Sequence, residues 1–148
     1  MMAEQAVFMN MCMVCHGSKV LVQDRVKKDW AGIVFPGGHV EPGEPFTDAV
    51  IREIREETGL TVSDLQLCGI KQWCEDDVRY VVFLYRTDSF TGELCSSREG
   101  KVFWVERSEL KNYALASGFS EDLAGFENER ITEIFFRKSG EGWKRENK

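Results

Sequence analysis

The sequence predicts an α+β protein with a mixed β-sheet and a few helices. Apolar and polar residues alternate in several stretches, as in "RYVVFLYRTD" at residues 79–88 and "KVFWVER" at residues 101–107. One longer segment, residues 45–58, has the apolar spacing of an amphipathic helix. Strand-like and helix-like stretches do not alternate strictly, which favours a mixed sheet over a regular array of βαβ units.

Seven strands are predicted from stretches rich in Val, Ile, Phe and Tyr, because these residues favour a pleated, half-buried surface. The predicted strands are residues 5–15, 19–26, 31–35, 65–73, 78–87, 101–105 and 130–137. Gly17-Ser18 marks the turn between the first two strands. The length suits one sizeable core, so we expect residues 1–148 to form a single domain.

The segment "FPGGHVEPGEP", residues 35–45, is predicted to be a loop because it holds all three prolines and three of the thirteen glycines. A helix is expected to follow it. Pro45 suits the first helical position, Asp48 suits the positive end of the helix dipole, and Gly59 suits the residue after the last turn. Two shorter helices are predicted at residues 107–112 and 119–127.

The charge and hydropathy of the chain exclude several classes of partner. The formal net charge is −6, so nothing indicates a bulk polyanion such as duplex DNA or RNA. No segment approaches the roughly 18 consecutive apolar residues that would cross a membrane. Glu4 precedes the first apolar stretch and no basic region precedes it, so no signal peptide is expected. We therefore expect a cytoplasmic protein without a nucleic-acid polymer or membrane partner.

The five cysteines are odd in number and scattered, which is typical of reduced thiols. Cys12, Cys15 and His16 nevertheless form the C-x-x-C-H pattern that attaches haem covalently. The flanking residues are typical of two apolar strands. The favoured interpretation is that both cysteines are small, buried strand residues, with a haem or redox protein as the alternative.

The helix at residues 45–58 carries an unusual group of carboxylates. On a helical wheel at about 100° per residue, its apolar arc is formed by Phe46, Val50 and Ile54. Glu53 and Glu57 fall at the edge of this arc with Glu56 beside them, whereas a solvated face would place them opposite it. Carboxylates that point toward the body of a protein are costly unless they are paired or bound to metal. The wheel therefore favours a partly buried acidic cluster, with Arg52 placed to pair with Glu56.

Two interpretations of this acidic cluster follow from the residues alone. Clustered carboxylate oxygens suit hard cations such as Mg²⁺ or Mn²⁺, which in turn bind phosphate oxygens. Gly37-Gly38 in the preceding loop would let main-chain groups approach such a ligand closely. The alternative is a structural network of charges in which Arg52 and Arg55 pair with the glutamates.

Residues 38–60, "GHVEPGEPFTDAVIREIREETGL", resemble the Nudix box, G-x5-E-x7-R-E-U-x-E-E-x-G-U, in which U is an aliphatic residue. Every specified position of the pattern is present: Gly38, Glu44, Arg52, Glu53, Ile54, Glu56, Glu57, Gly59 and Leu60. Nine specified positions within 23 residues make this a specific signal, although the box covers only about a sixth of the chain.

The resemblance implies the fold and the cofactor of the Nudix family. The fold would be an α/β/α sandwich around a mixed β-sheet, and Mg²⁺ or Mn²⁺ would be required for hydrolysis of a nucleoside diphosphate linked to another group. By position in the box, the metal ligands would be Glu53, Glu56, Glu57 and the carbonyl of Gly38. Glu44 would assist at the metal site, and Arg52 would orient the glutamates. Many members are homodimers, so a homodimer is one expected state.

The implied reaction is attack on phosphorus by a metal-bound water whose proton passes to a carboxylate. The base differs among family members, and the candidates here are Glu53, Glu56 and Glu99. Glu99 lies outside the box, in "SSREGKVFWV", just before a predicted strand. Many relatives, including MutT-type proteins, bring an extra glutamate to the site from this place. The alternative for Glu99 is an ordinary loop charge.

The length and the stretch "DWAGIVFPGGHVEPGE" resemble MutT-like members, which hydrolyse (deoxy)nucleoside triphosphates such as 8-oxo-dGTP to the monophosphate and pyrophosphate. The spacing from Trp30 to Pro36 is longer than in MutT itself, so base-contacting residues do not carry over. Candidates for stacking on a base are Trp30, Phe35, Trp73 and Phe119, with core packing as the alternative for each. The alternative functions are hydrolysis of ADP-ribose, nucleotide sugars or dinucleoside polyphosphates, and non-catalytic nucleotide sensing.

Overall fold

The computed structural model describes residues 1–148, which form ten strands, two α-helices and one 3₁₀ helix. The strands are β1 (Gln5–His16), β2 (Lys19–Arg25), β3 (Gly32–Val34), β4 (Thr61–Ser63), β5 (Gln66–Glu75), β6 (Val78–Thr87), β7 (Ser89–Thr91), β8 (Gly100–Glu106), β9 (Glu133–Ser139) and β10 (Gly142–Asn147). The helices are α1 (Phe46–Thr58) and α2 (Phe119–Glu127), with the 3₁₀ helix at Arg107–Asn112. Neither α-helix has the length and hydropathy to cross a bilayer.

Eight of the strands form one mixed sheet in the order β10-β9-β5-β6-β1-β2-β3, with β8 paired to β2. β1 runs parallel to β6 over ten residue pairs, and β5 runs parallel to β9. The remaining neighbours in this sheet are antiparallel, and β4 and β7 pair separately. The predicted α+β class with a mixed sheet is confirmed.

The alternation of side chains along β1 divides the core into two layers, one on each face of the sheet. One layer contains Cys12 and Val14 and is closed by Val50 and Ile54 of α1. The other layer contains residues of β1 and α2: Met11, Met13, Cys15, Phe119, Leu123 and Phe126. A helix therefore covers each face, as expected for an α/β/α sandwich.

The same alternation argues against covalent haem attachment. Cys12 and Cys15 are both buried, and they belong to opposite core layers. Two sulfur atoms on opposite faces of one strand cannot both bond to a single porphyrin. Burial also raises the pKa of both thiols, and all five cysteines are unbridged. The interpretation of this pair as buried strand residues is confirmed.

Helix α1 begins one residue later than expected, since Pro45 has an extended backbone and precedes the first helical residue. Its end is as predicted, because Gly59 adopts φ 80° and donates its N–H to the Arg55 carbonyl at 2.9 Å. Phe46 corrects the helical wheel. It is 40% exposed and stacks near Phe83, with ring centroids 4.3 Å apart, instead of entering the core.

Candidate active site

The loop before α1 is fastened to β1 by main-chain hydrogen bonds. The N–H of Asn10 donates to the Gly38 carbonyl at 2.8 Å, and the N–H of Cys12 donates to the Pro36 carbonyl at 2.9 Å. A Cβ at Gly37 would collide with the Asn10 backbone, and one at Gly38 would collide with the Glu53 carboxylate. Gly37 is therefore needed to bring the loop backbone against β1, whereas a side chain at Gly38 would displace the Glu53 carboxylate.

Glu57 is the most deeply buried carboxylate of α1, at 5% exposure. One of its oxygens, Oε2, accepts the Gly37 N–H at 3.0 Å. The pKa of Glu57 is raised to about 8, mainly by burial. The hydrogen bond from Gly37 opposes this shift, and the charges of Glu53 and Glu99 add to it. Glu57 thus sits where a negative charge is unfavourable unless a cation is nearby.

Arg52 holds the carboxylates on the outer side of this cluster. Its guanidinium donates to both oxygens of Glu44 at 2.8 and 3.0 Å, to Glu53 at 2.9 Å and to Glu56 at 3.3 Å. It also donates to the His39 carbonyl at 3.0 Å. The hydrogen bonds from Arg52 lower the pKa of Glu44 to about 2. Arg52 is half-buried instead of lying on a solvated face, and it orients three box carboxylates.

A cavity of about 610 Å³ opens beside the loop and the inner side of α1. Its acidic end is lined by Glu53, Glu57 and Glu99 together with Gly37 and Gly38. The rest of its wall includes three cationic side chains and four aromatic rings: Arg25, Lys27, Lys71, Trp30, Phe35, Trp73 and Tyr80. Lys27 pairs with Glu99 at the acidic end, whereas Lys71, Trp73 and Tyr80 belong to β5 and β6. Carboxylates, cations and rings in one cavity suit a ligand that carries both phosphates and a base.

The donor set at the acidic end fits a hard divalent cation by its chemistry. Its side-chain donors are carboxylate oxygens, and burial raises the pKa of both Glu53 and Glu57, so that a bound cation would relieve an unfavourable charge. No three His, Cys, Asp or Glu side chains are already arranged around a common ion position. Glu56 is 58% exposed and turned toward Arg52, and the Gly38 carbonyl is engaged by Asn10.

Glu99 reaches the cavity from outside the box, as the position before β8 suggested. Its carboxylate lies 3.1 Å from Lys27 Nζ, and its N–H donates to Ser97 Oγ at 3.2 Å. The following residue, Gly100, has φ 148°, and a Cβ there would collide with the Asp24 carbonyl of β2. The close contact with β2 fixes the start of β8 and so places Glu99 at the cavity.

The structure separates the four aromatic candidates for base stacking. Trp30 and Trp73 line the cavity. Phe119 is fully buried and lies outside the cavity lining, so the alternative of core packing applies to it. Phe35 borders the cavity but is only 2% exposed, since its ring packs edge-on against Phe119 at 4.8 Å and Phe126 at 5.1 Å. Both phenylalanines are corrected from base-stacking candidates to core residues.

Tyr80 and Lys71 were not among the predicted site residues, although both line the cavity. The Tyr80 ring stacks on Trp73 with centroids 5.3 Å apart and an interplanar angle of 8°. The signal that could have found them is the short turn at Asp76-Asp77, where both residues have positive φ. This turn pairs Glu75 with Val78, which places Trp73 opposite Tyr80 and Lys71 opposite Val82.

Comparison with known proteins identifies the family to which this chain belongs. The NUDIX domain matches residues 8–123 of the chain. The chain is 36% identical over 113 residues to the uncharacterized Nudix hydrolase YvcI of Bacillus subtilis, covering 72% of this chain and 70% of that protein. It is 34% identical over 123 residues to the ADP-ribose pyrophosphatase of Methanocaldococcus jannaschii, covering 81% of this chain and 67% of that protein.

Among solved structures, the MutT protein from Bacillus halodurans superposes with a TM-score of 0.74. The sequence identity is 24%, and the match covers 95% of this chain and 97% of that chain, so it supports the fold. The matched NUDIX domain includes α1 and its loop, together with Glu99. The chain therefore belongs to the Nudix family of hydrolases, which act on nucleotide-linked phosphoanhydrides.

Proposed function

We propose that this protein is a Mg²⁺-dependent nucleoside triphosphate pyrophosphohydrolase that acts on 8-oxo-dGTP or related (d)NTPs. The products would be the monophosphate and pyrophosphate, and Mn²⁺ would substitute for Mg²⁺. The observation that carries the proposal is a single cavity lined both by the carboxylates of Glu53, Glu57 and Glu99 and by aromatic rings. A triphosphate chain would lie at the acidic end, and its base would lie against the rings.

The residues divide the work of hydrolysis as follows. Mg²⁺ would be held by Glu53 and Glu57, with Glu56 and the Gly38 carbonyl as further predicted ligands, and would supply charge neutralisation and a water of lowered pKa. Glu99 and Glu53 line the cavity and are the favoured acceptors of that water's proton; the exposed Glu56 is the third candidate. Arg52 positions Glu44 and Glu53 through its hydrogen bonds.

A second candidate function is hydrolysis of ADP-ribose, a nucleotide sugar or a dinucleoside polyphosphate. Two observations favour it. The relative from M. jannaschii, 34% identical, is an ADP-ribose pyrophosphatase. The cavity also has more than one ring available for stacking, Trp30 and the stacked pair Trp73–Tyr80, which suits a substrate that carries two ring systems or sugars.

One product assay separates these functions. Purified protein with Mg²⁺ is offered 8-oxo-dGTP, the four dNTPs, ADP-ribose and diadenosine tetraphosphate, and kcat/KM is measured for each. The proposal expects the highest value for 8-oxo-dGTP or a dNTP, with release of pyrophosphate. A preference for ADP-ribose or the dinucleotide would select the second candidate. Binding without turnover of any compound would point to the nucleotide-sensing alternative and overturn both.

A further inference from the structure

Lys71, which lines the cavity, forms an ion pair with a fully buried aspartate. Its Nζ lies 2.8 Å from Oδ2 of Asp122, which is 0% exposed, while the Lys71 side chain is 13% exposed. The other oxygen of Asp122 accepts a hydrogen bond from Arg145 at 2.9 Å. Two cations therefore share one carboxylate. The three groups together carry one net positive charge, because Asp122 can balance only one of the two cations. A negative or polar group of a ligand could compensate for the remaining charge at Lys71.

The Lys71 ammonium is also fixed in position. It lies 5.3 Å from the centroid of the Trp30 ring and 5.6 Å from that of Phe136, so aromatic rings limit its movement. An ammonium has three N–H donors, and Asp122 is its one hydrogen-bonded acceptor in the protein. Since Lys71 lines the cavity, its remaining donors are available to a bound ligand.

The register of the sheet places Lys71 away from the acidic end of the cavity. Met9 of β1 pairs with Val82 of β6, which pairs with Lys71 of β5. Neighbouring strands are about 4.8 Å apart, so Lys71 lies two strands, or roughly 10 Å, from the part of β1 that holds the Gly37-Gly38 loop. A substrate whose phosphates meet Glu53 and Glu57 would therefore present its base to Lys71, not its scissile bond.

We infer that Lys71 determines base specificity by donating a hydrogen bond to O6 of a 6-oxopurine, and that Asp122 is its positioning residue. This inference rests on the proposed function. Guanine, 8-oxoguanine and hypoxanthine all present the O6 acceptor, whereas adenine presents an N6 amino donor in its place. A lysine has only donors, so it favours the oxo form and disfavours the amino form. Trp73, two residues along the same face, lies beside Lys71 as a ring for the base to stack on.

The test removes one atom from the ligand and one charge from the protein. We would measure kcat/KM for dITP and for the 2′-deoxynucleoside triphosphate of unsubstituted purine, which lacks O6. Wild-type protein is expected to prefer dITP by roughly tenfold to a hundredfold, as for one specific base contact. In Lys71→Met the ratio should fall to about one through loss of dITP turnover, with turnover of the purine nucleotide kept.

Lys138→Met is the matched control, because Lys138 also lies over an aromatic ring, that of Trp143, but outside the cavity. It should keep the wild-type ratio. Asp122→Asn should lower the ratio as well, whereas a purely structural role would lower both activities equally. The inference is overturned if wild-type protein shows no preference, or if Lys71→Met weakens both substrates alike. The first of these outcomes needs only wild-type protein, so poor folding of a variant does not rescue the inference.

A binding experiment separates failure of this inference from failure of the proposed function. Without metal, dIMP and the purine deoxynucleoside monophosphate are titrated while tryptophan fluorescence is followed, since Trp30 and Trp73 line the cavity. If no triphosphate is hydrolysed but dIMP still binds more tightly, and only when Lys71 is present, the proposed function is wrong and the inference stands. Equal affinities in a protein that hydrolyses triphosphates would overturn the inference alone.

Discussion

At the scale of single residues, Glu57 is a carboxyl group held in a nearly dry position between α1 and the Gly37-Gly38 loop. Its pKa of about 8 in the folded protein lies above its ordinary value of 4.5. Below about pH 4.5 the group is protonated in both the folded and unfolded states, and its contribution to stability is complete. As the pH rises through 8, the folded protein must ionise a buried group, and that contribution is lost.

We therefore predict that the metal-free protein loses stability, on the order of a few kcal/mol, as the pH rises from about 5 to 9. The measurement is the free energy of unfolding in urea with EDTA at several pH values. Glu57→Gln, which cannot ionise, should show a flatter profile and should be at least as stable as wild type at pH 8. Parallel profiles for the two proteins would contradict the assignment of this pH dependence to Glu57.

Glu57→Gln should preserve stability at pH 8 but lower activity. Glu57→Gln should reduce Mg²⁺-dependent turnover by several orders of magnitude, because a neutral amide is a poor ligand for a hard cation. Its circular dichroism spectrum should match that of wild type. Glu121→Gln, an exposed glutamate on α2, is the control and should retain full turnover. Near-normal turnover in Glu57→Gln would refute its role as a metal ligand.

At this scale, the helical wheel found which carboxylates point inward but not how each is held. Glu57 is buried and Glu53 half-buried, as their place beside the apolar arc predicted. The wheel also put Glu56 in the same group, yet Glu56 is exposed. Glu56 accepts a hydrogen bond from Arg52 on the outer side of the cluster, and the length and direction of a guanidinium do not appear on a wheel.

At the scale of elements, the end of α1 depends on Gly59. Its φ is 80°, and a Cβ there would collide with the Glu93 carbonyl. We predict that Gly59→Ala destabilises the fold by about 1–3 kcal/mol, since alanine would add both backbone strain and a steric clash. Gly140→Ala is the matched control, because Gly140 has φ 62° but nothing near its would-be Cβ.

Chemical unfolding of the two variants separates these causes. Both variants should have a lower free energy of unfolding, because alanine is strained at a left-handed φ. The decrease should be larger for Gly59→Ala, because it also has the clash. Equal losses would show that the contact with Glu93 is relieved by small backbone shifts.

The loop and helix ends were predictable because glycine and proline restrict or permit backbone angles locally.

The strands were less evenly predictable than the helices. The seven predicted strands all exist, with boundaries a few residues different, whereas β4, β7 and β10 were not expected. β4 and β7 are three residues each and pair only with one another, so they carry too little pattern to be seen. β10, "GWKREN", is mostly polar and lacks a strand pattern of its own; it forms a strand because it pairs with β9.

At the scale of the whole molecule, the sequence could predict the acidic end of the cavity more fully than the opposite wall. The acidic end is largely contained in residues 38–60, where spacing along one helix decides which side chains meet. On the opposite wall, Trp30 and Trp73 were predicted as stacking candidates, but Lys71 and Tyr80 were not. These residues are brought together by strand order and by the parallel pairing of β1 with β6. The order of strands that are distant in sequence cannot be predicted from the local pattern of any one segment.

The acidic end of the cavity combines carboxylates from distant parts of the chain, so it forms only when the entire fold forms. Glu53 and Glu57 belong to α1, and Glu99 is placed by the pairing of β8 with β2. The charges of Glu53 and Glu99 both repel a charge on Glu57, and the chain carries a net charge of −6. An ion that binds between them would oppose unfolding of the helix, the loop and the sheet together, because the donors exist as a set only in the folded state.

We therefore predict that Mg²⁺ raises the melting temperature of the wild-type protein at pH 8. At a concentration about 100 times its Kd, the ion would add about 2.7 kcal/mol to the free energy of unfolding. For a chain of this size that corresponds to roughly 5–10 °C. NaCl at equal ionic strength should give a smaller shift, since it screens the repulsion without bridging the carboxylates. Glu57→Gln should lose most of the Mg²⁺-specific part. An equal shift in wild type and variant would place the ion elsewhere, because only binding at the acidic end of the cavity depends on this carboxylate.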